Sequence, residues 1–215
     1  MCGRFTMLTY DEVLDVVHSI EFGTPFNSGA EWPLQTVDAF PSSTVPLIVP
    51  GKDNQLEATK LSWGYPVSWQ KNVVFNARIE SALSDDSMWA ESIQRRRCIV
   101  PTRGFYEPHR SETFYSSQTG RTAKQQYRFT ALGSPLLLLA GIFEGNHFSI
   151  VTTEPNENVS PVHDRMPLVL SGQEAWRWLG SDYAQLATRA EMPLSVERVP
   201  HNPIQDDSND QLSLF

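Results

Sequence analysis

The stretch from Arg95 to Thr153 constrains this chain more than any other. Within it lie Cys98–Val100, Gly104–Glu107, Gln126–Leu132, Leu136–Phe143 and His147–Thr153, short apolar or alternating segments parted by Gly, Pro, Ser and Asn. Each is too short for a helix of ordinary length and carries the β-branched and aromatic residues that suit a pleated, half-buried surface. Val45–Val49, Ala58–Trp63, Val73–Phe75 and a last stretch near Leu194–Val199 read the same way. Helical patterns are few. Thr9-x-x-Glu12 is a capping box that opens a periodic run through Val13, Leu14, Val16 and Val17 to about Ile20, because hydroxyl and carboxylate each satisfy a free backbone N–H. Ser171-x-x-Glu174 opens a second helix over Gln173–Leu179, and a third is expected over about Asp86–Arg95. Glu21–Thr44 reads as a long loop. Many short strands with few helices predict an α+β fold, an antiparallel β-barrel-like sheet with flanking helices.

At 215 residues and 40% hydrophobic, the chain has the size of one large domain, expected to span 1–203. Two cysteines make no disulfide framework and no CxxC spacing suggests a metal site, so a reducing cytoplasm fits, with no cofactor or metal. The first thirty residues lack a basic start followed by an apolar run. The apolar run Leu136–Ala140 is too short to span a bilayer. The net charge of −8 argues against binding duplex DNA through bulk charge. Its distribution is uneven: Arg95–Arg128 holds eight basic residues against Glu107 and Glu112, a local surface able to hold a few phosphates.

Position two raises a chemical question. Removal of Met1 exposes Cys2 as a 1,2-aminothiol, a pair that reacts with aldehydes as neither group does alone. Only Met1 precedes it, so ordinary methionine trimming is expected to suffice. Three further stretches carry polar residues that a plain core strand does not need: Asn76 and Arg78 in "FNARIESA", Glu107 in "RRRCIVPTRGFYEP", and His163 in "SPVHDRMPLVL".

With "CGRF" at 2–5, these stretches together resemble the SRAP family (SOS-response-associated peptidase), whose members attach covalently to abasic sites in single-stranded DNA. The resemblance runs from Cys2 to about Val199 and implies the same barrel-like sheet with flanking helices. Cys2 resembles the family's reactive cysteine, Asn76 the Asn of N-A-R-x-E, Glu107 the Glu of G-F-Y-E, and His163 the His of H-x-R-M-P. By position in the family pattern, Trp63, Trp69 and the Pro41-Ser42-Ser43 loop are expected to contact bases, and Arg4 and Arg78 to clamp phosphates. Two departures stand out: Pro108 replaces the usual Trp after Glu107, and the loop before Pro41 reads Asp38-Ala39-Phe40 where an Asn is expected.

The chemistry has its own logic. A neutral α-amine, pKa about 7.7–8.0 against about 10.4 for lysine, attacks an aldehyde to give an imine, and the adjacent thiol closes a thiazolidine. Glu107 suits the proton transfers, and His163 suits protonation of the sugar ring oxygen. Asn76 suits positioning. Two alternatives stay open: an N-terminal-cysteine peptidase or amidase, and a non-covalent reader of modified bases in which Cys2 is merely packed.

Residues 204–215 are acidic and polar until the apolar end, and are expected to be disordered. Their "QLSLF" (Gln211, Leu212, Ser213, Leu214, Phe215) resembles the pentapeptide by which bacterial proteins bind the replication sliding clamp. The expected partners are therefore abasic single-stranded DNA and a bacterial sliding clamp. A monomer in the bacterial cytoplasm, away from membranes and near replication forks, completes the expectation.

Overall fold

The computed structural model describes residues 2–26, 36–53, 55–116, 119–187 and 192–200. Strand β1 (Arg4–Met7) leads into helix α1 (Tyr10–Phe22). Then come β2 (Val37–Ala39), β3 (Thr44–Pro50), β4 (Leu56–Trp63) and the short β5 (Asn76–Arg78), which runs into α2 (Ile79–Ala82) and later α3 (Ala90–Arg95). The long β6 (Arg97–Ser116) and β7 (Arg121–Ala131) form a hairpin, followed by β8 (Leu137–Glu144) and β9 (His147–Thr153). Strands β10 (Met166–Pro167) and β11 (Val169–Leu170) precede α4 (Gly172–Leu179), a 3-10 turn at Tyr183–Leu186 and the edge strand β12 (Leu194–Arg198).

Both capping boxes form. Thr9 Oγ1 accepts the Glu12 N–H while Glu12 accepts the Thr9 N–H, and α1 ends at Gly23 in the left-handed region, φ 62°, where a Cβ is costly. In α4 the Ser171 N–H donates to Glu174.

The pairings β8–β9, β9–β4, β4–β3, β3–β6 and β6–β8 close a ring, with β1 and β7 pairing along the rest of β6. Most pairings are antiparallel, but β4–β9 and β5–β9 are parallel, so the expected antiparallel sheet holds only in part. Parallel pairing needs a crossover, and the long chain from β4 through α2 and α3 to β9 supplies it.

Alternation along the strands separates two apolar layers. Val45, Leu47, Cys98, Val100, Leu137, Leu139, Phe148 and Ile150 face one cluster with Phe5 and Trp63. Ile48, Ile99, Leu138, Ala140 and Val151 face the other, with α1 and α4. Strands buried on both faces lose the polar half of the alternation, hence the run "PLLLLAGIF".

Three expected boundaries move. Between Val73 and Phe75 only Val74 forms a bridge, to Tyr65, and the strand proper starts at Asn76. Cys98–Val100 and Gly104–Glu107 are one strand, which changes neighbour from β8 to β1 near Thr102. At Gly104 a Cβ would lie 2.7 Å from the Phe129 carbonyl oxygen, so only glycine lets β6 and β7 close just before Glu107. Helix α3 starts at Ala90, not near Asp86. The tail at 204–215, with Gln211, Leu212, Leu214 and Phe215, lies outside the described residues. Among the described residues no helix is long and apolar enough to cross a membrane.

Candidate functional site

β1 and β6 pair with Arg4 opposite Tyr106, which brings Cys2 toward Glu107. The Cys2 side chain is fully buried and its Sγ–H points at the Arg4 carbonyl oxygen, 3.6 Å away. Burial, then the Glu107 charge, pushes the thiol well above its ordinary range. At neutral pH it is a thiol, not a thiolate.

Asn76 opens β5 opposite Ile150 of β9, and its Nδ2 donates to the Cys2 carbonyl oxygen at 2.8 Å. Asn76 Oδ1 is buried and accepts no hydrogen bond. Such a group costs on the order of 1–3 kcal/mol; here it is an acceptor held beside Cys2.

Glu107 is fully buried on β6. Burial pushes its carboxyl up to about 7, with the positive charge of the amino terminus pulling the other way. His163 sits on a turn ordered by Asn156, whose Oδ1 accepts the N–H groups of Asn158 and Val159. Its Nε2 lies 3.8 Å from Glu107 Oε2. Its Nδ1 lies 3.0 Å from Asp164 Oδ1 and accepts the Arg165 N–H at 3.1 Å. Burial and the amino-terminal charge lower the His163 pKa against the pull of Asp164. A buried carboxyl raised to about 7 can both take and give a proton near neutral pH, and the His163 imidazole stands beside it.

The structure thus brings Cys2, Asn76, Glu107 and His163 together. The expected DNA contacts fare unevenly. Arg78 is exposed at the start of α2 and shares an open groove of about 460 Å³ with Trp69, Phe75, Asn76, Met88 and Trp89. Trp69 is 66% exposed, as a base-stacking surface must be. Pro41 and Ser42 form a turn beside β3. Ser42 has φ 77°, a strained value for a non-glycine residue, and its N–H donates to the Trp63 carbonyl oxygen at 2.7 Å.

Trp63 does not fit its expected role. It is fully buried between Phe5, Phe75 and Phe148, with no face left for a base. Its Nε1–H donates to the Phe75 carbonyl oxygen at 2.9 Å, so it fixes the backbone just before Asn76. Arg4 is also more engaged than expected. Its Nε donates to Asp38 Oδ2 at 2.7 Å, and its guanidinium lies over the Tyr106 ring, 4.1 Å from the centroid.

Two residues inside the quoted motifs went unassigned from sequence. Arg165 of "HDRMP" donates to Glu80 of "NARIE", Nη2 to Oε2 at 2.8 Å, and to the Thr152 carbonyl oxygen at 2.9 Å. The pair joins the β5–α2 segment that carries Asn76 to the segment that carries His163. The opposite charges of Glu80 and Arg165, one in each motif, were the available signal.

No group of three or more His, Cys, Asp or Glu side chains suited to a metal occurs among the described residues. A family model described as SOS response associated peptidase (SRAP) matches residues 1–209. Abasic site processing protein YoqW of Bacillus subtilis (strain 168) is 31% identical over 194 residues, covering 83% of this chain and 80% of that one. Abasic site processing protein YedK of Escherichia coli (strain K12) is 28% identical over 205 residues, covering 90% and 88%. Among solved structures, a phage-related protein from Bordetella bronchiseptica shares the fold with a TM-score of 0.65 at 22% identity, covering 93% of this chain and 95% of that one. A match spanning nearly the whole sequence, over the strands and turn that gather the four motif residues, means that the chain belongs to the SOS response associated peptidase (SRAP) family.

Proposed function

We propose that this protein captures abasic sites in single-stranded DNA by forming a covalent link through Cys2 after removal of Met1. The observation that carries the reading is the Asn76 bond to the Cys2 carbonyl beside the buried Glu107 carboxyl. Backbone and acid–base group are thereby fixed around the future amino terminus. Relatives named as abasic site processing proteins support the same substrate.

The steps balance as follows. The ring-opened abasic sugar presents an aldehyde at C1′. The neutral Cys2 amine adds to it, and Glu107 takes the ammonium proton as the N–C bond forms. Glu107 gives that proton to the carbinolamine oxygen, then takes the second N–H proton and passes it to the resulting hydroxyl, which leaves as water and gives an imine. The thiol adds across the C=N bond, its proton passing to nitrogen, and the five-membered thiazolidine closes. Only one water is lost overall and no oxidant or reductant is needed. In the preceding ring opening His163 donates a proton to the ring oxygen as its bond to C1′ breaks, and the C1′ hydroxyl gives its proton to water as the aldehyde forms. A protonated thiol is the form this sequence uses last, after the amine has acted. The raised thiol pKa weighs against the thiolate attack that a peptidase reading requires.

Mass spectrometry of the protein incubated with an abasic oligonucleotide tests the reading. The expected species lacks Met1 and has the summed mass of protein and DNA less one water. Cys2→Ala is expected to abolish the stable adduct, and Cys2→Ser to leave only an imine that borohydride traps. Full yield of a stable adduct from Cys2→Ala overturns the proposal.

Docking through the tail belongs to the same reading. Gln211, Leu212, Leu214 and Phe215 on an acidic tether place the domain beside replicating DNA by raising its local concentration there. A labelled peptide covering 204–215, titrated against a bacterial sliding clamp, is expected to bind. Gln211→Ala and Leu214→Ala/Phe215→Ala are expected to abolish that binding, and indifference to those changes overturns it.

A further inference from the structure

The outer half of the β6–β7 hairpin takes no part in the chemistry above. Among the described residues, Thr113–Ser116 and Arg121–Lys124 pair only with each other. At the base of this segment β6 bulges, so that His109–Glu112 stand against Gln125 alone. The bulge is fixed in place. His109 Nδ1 accepts the N–H groups of Ser111 and Glu112 at 3.2 and 2.9 Å. Arg110 donates its backbone N–H to the Val162 carbonyl oxygen at 3.0 Å and Nη2 to that of Ser160 at 2.8 Å. The hairpin is therefore docked on the turn that presents His163.

Register decides what its faces carry. Thr113 pairs with Lys124 and Tyr115 with Thr122, so these four side chains share one face. Tyr115 and Lys124 are diagonal neighbours, about 7–8 Å apart. Tyr115 is 69% exposed and Lys124 is exposed. These four side chains supply one phenol ring, one ammonium and two threonine hydroxyls, and no carboxylate. The carboxylate at the base of this outer segment, Glu112, is tied up by the Tyr127 hydroxyl at 2.6 Å and Arg198 at 2.8 Å. Lys124 is also among the charges that depress the His163 pKa, which fits its closeness to the site.

We propose that this face, Tyr115 with Lys124, is a second contact for single-stranded DNA, holding the strand on one side of the lesion while the Trp69–Arg78 groove holds the other. The inference rests on the reading of the site as one that takes abasic DNA. An exposed ring stacks any base, an ammonium beside it holds the adjoining phosphate, and the flanking hydroxyls donate to phosphate oxygens. A protein partner needs a larger apolar patch than one ring offers. The bulge and the lysine also guard this strand pair against adding another strand at its edge, which leaves the face itself free.

Two measurements separate the hairpin from the chemistry. The first is anisotropy of a labelled oligothymidylate of about 15 nucleotides across a salt series. Tyr115→Ala is expected to weaken binding about fivefold or more, and Lys124→Glu about tenfold, with a log–log salt slope shallower by about one. The second is the rate of adduct formation on an abasic trinucleotide, too short to reach the hairpin. Tyr115→Ala is expected to match wild type there, while Lys124→Glu, whose charge also acts on His163, is read on pre-opened sugar, where it is expected to match as well. Unchanged affinity for the long strand overturns the proposal, and so does an equal loss of rate on the trinucleotide. If wild type forms no adduct with any abasic oligonucleotide, the reading of the site falls, while the anisotropy series still decides the hairpin.

Discussion

Asp38 on β2 occupies the fork of Arg4 on β1: Arg4 Nε and Nη2 lie 2.7 and 2.6 Å from Asp38 Oδ2. Asp38 Oδ1 accepts the Thr6 hydroxyl at 2.8 Å, so one carboxylate ties down two side chains of the strand that follows Cys2. An arginine whose bidentate edge is already filled binds a phosphate weakly, because the phosphate must displace a partly buried carboxylate. Asp38→Asn is therefore expected to raise affinity for intact single strands about three- to tenfold and to steepen the salt dependence. Arg4→Ala should cost more in that background than in wild type. Anisotropy titrations of the four proteins, arranged as a double-mutant cycle, measure the coupling. Additive effects of the two changes contradict the pairing as the cause.

The Glu107 pKa of about 7 has a consequence for stability and for rate. The folded-state pKa is raised above the unfolded value near 4.5, so the folded state holds the proton more tightly. Its contribution is fully present below about pH 4.5 and is lost as pH rises through about 7. Up to about 3 kcal/mol is at stake. Glu107→Gln removes that slope, and urea unfolding at pH 5 and pH 8 should show wild type losing more stability between them than the variant. The adduct rate runs the opposite way, since proton acceptance needs the ionised carboxylate. Wild type is expected to accelerate through about pH 7, and the variant to be slower by roughly 10²-fold, keeping only the later rise near pH 7.7–8.0 that comes from the α-amine.

The four residues gathered at the site were legible in the sequence because Cys2 follows Met1 directly and because Asn76, Glu107 and His163 occur together, in order, in motifs that resemble those of one family. The capping boxes at Thr9 and Ser171 were legible because their partners lie three residues away. What stayed hidden depends on distant chain. β1 and β2 are short, and their pairing needs β6 to hold β1 in place. Helix α2 has four residues, too few to show a period. Asp38 and Arg4 meet only through that β1–β2 pairing, and Glu80 and Arg165 only through β5 on β9. A tryptophan beside Gly or Pro reads equally as core or as surface, which is why Trp63 and Trp69, both within "WGYPVSW", looked alike.

That contrast between the two tryptophans is itself testable. Trp63→Phe leaves the Phe75 carbonyl oxygen without its Nε1–H donor and opens space in a packed cluster. It is expected to lower stability by about 1–3 kcal/mol. Trp69→Ala, at 66% exposure, should leave the unfolding midpoint nearly unchanged. It should weaken binding of intact single strands by about fivefold or more, the scale of one lost stacking partner. Unfolding curves and anisotropy on both proteins check the pair of outcomes; a stability loss at Trp69 matching that at Trp63 contradicts the assignment.

Glu80 and Arg165 join the Asn76 segment to the His163 segment, and their removal should separate geometry from stability. The Arg165 pairing holds the Glu80 carboxyl below its usual range, yet Glu80 keeps 56% of its side chain exposed. Solvent screening therefore limits the stability cost of Glu80→Ala to about 1 kcal/mol. The functional cost should be larger and selective. Without Glu80, the Arg165 side chain keeps its bond to the Thr152 carbonyl oxygen but loses its anchor to α2. Its backbone N–H, the donor to His163 Nδ1, is then less firmly placed. Adduct formation on ring-closed sugar, which uses His163 to protonate the ring oxygen, is expected to slow about tenfold. Pre-opened aldehyde should react at close to the wild-type rate. Glu80→Gln keeps an acceptor for the guanidinium and should recover most of the lost rate. Rates measured on both sugar forms, beside unfolding midpoints for each variant, check the prediction; an equal loss on both forms indicates a general loosening of the fold instead.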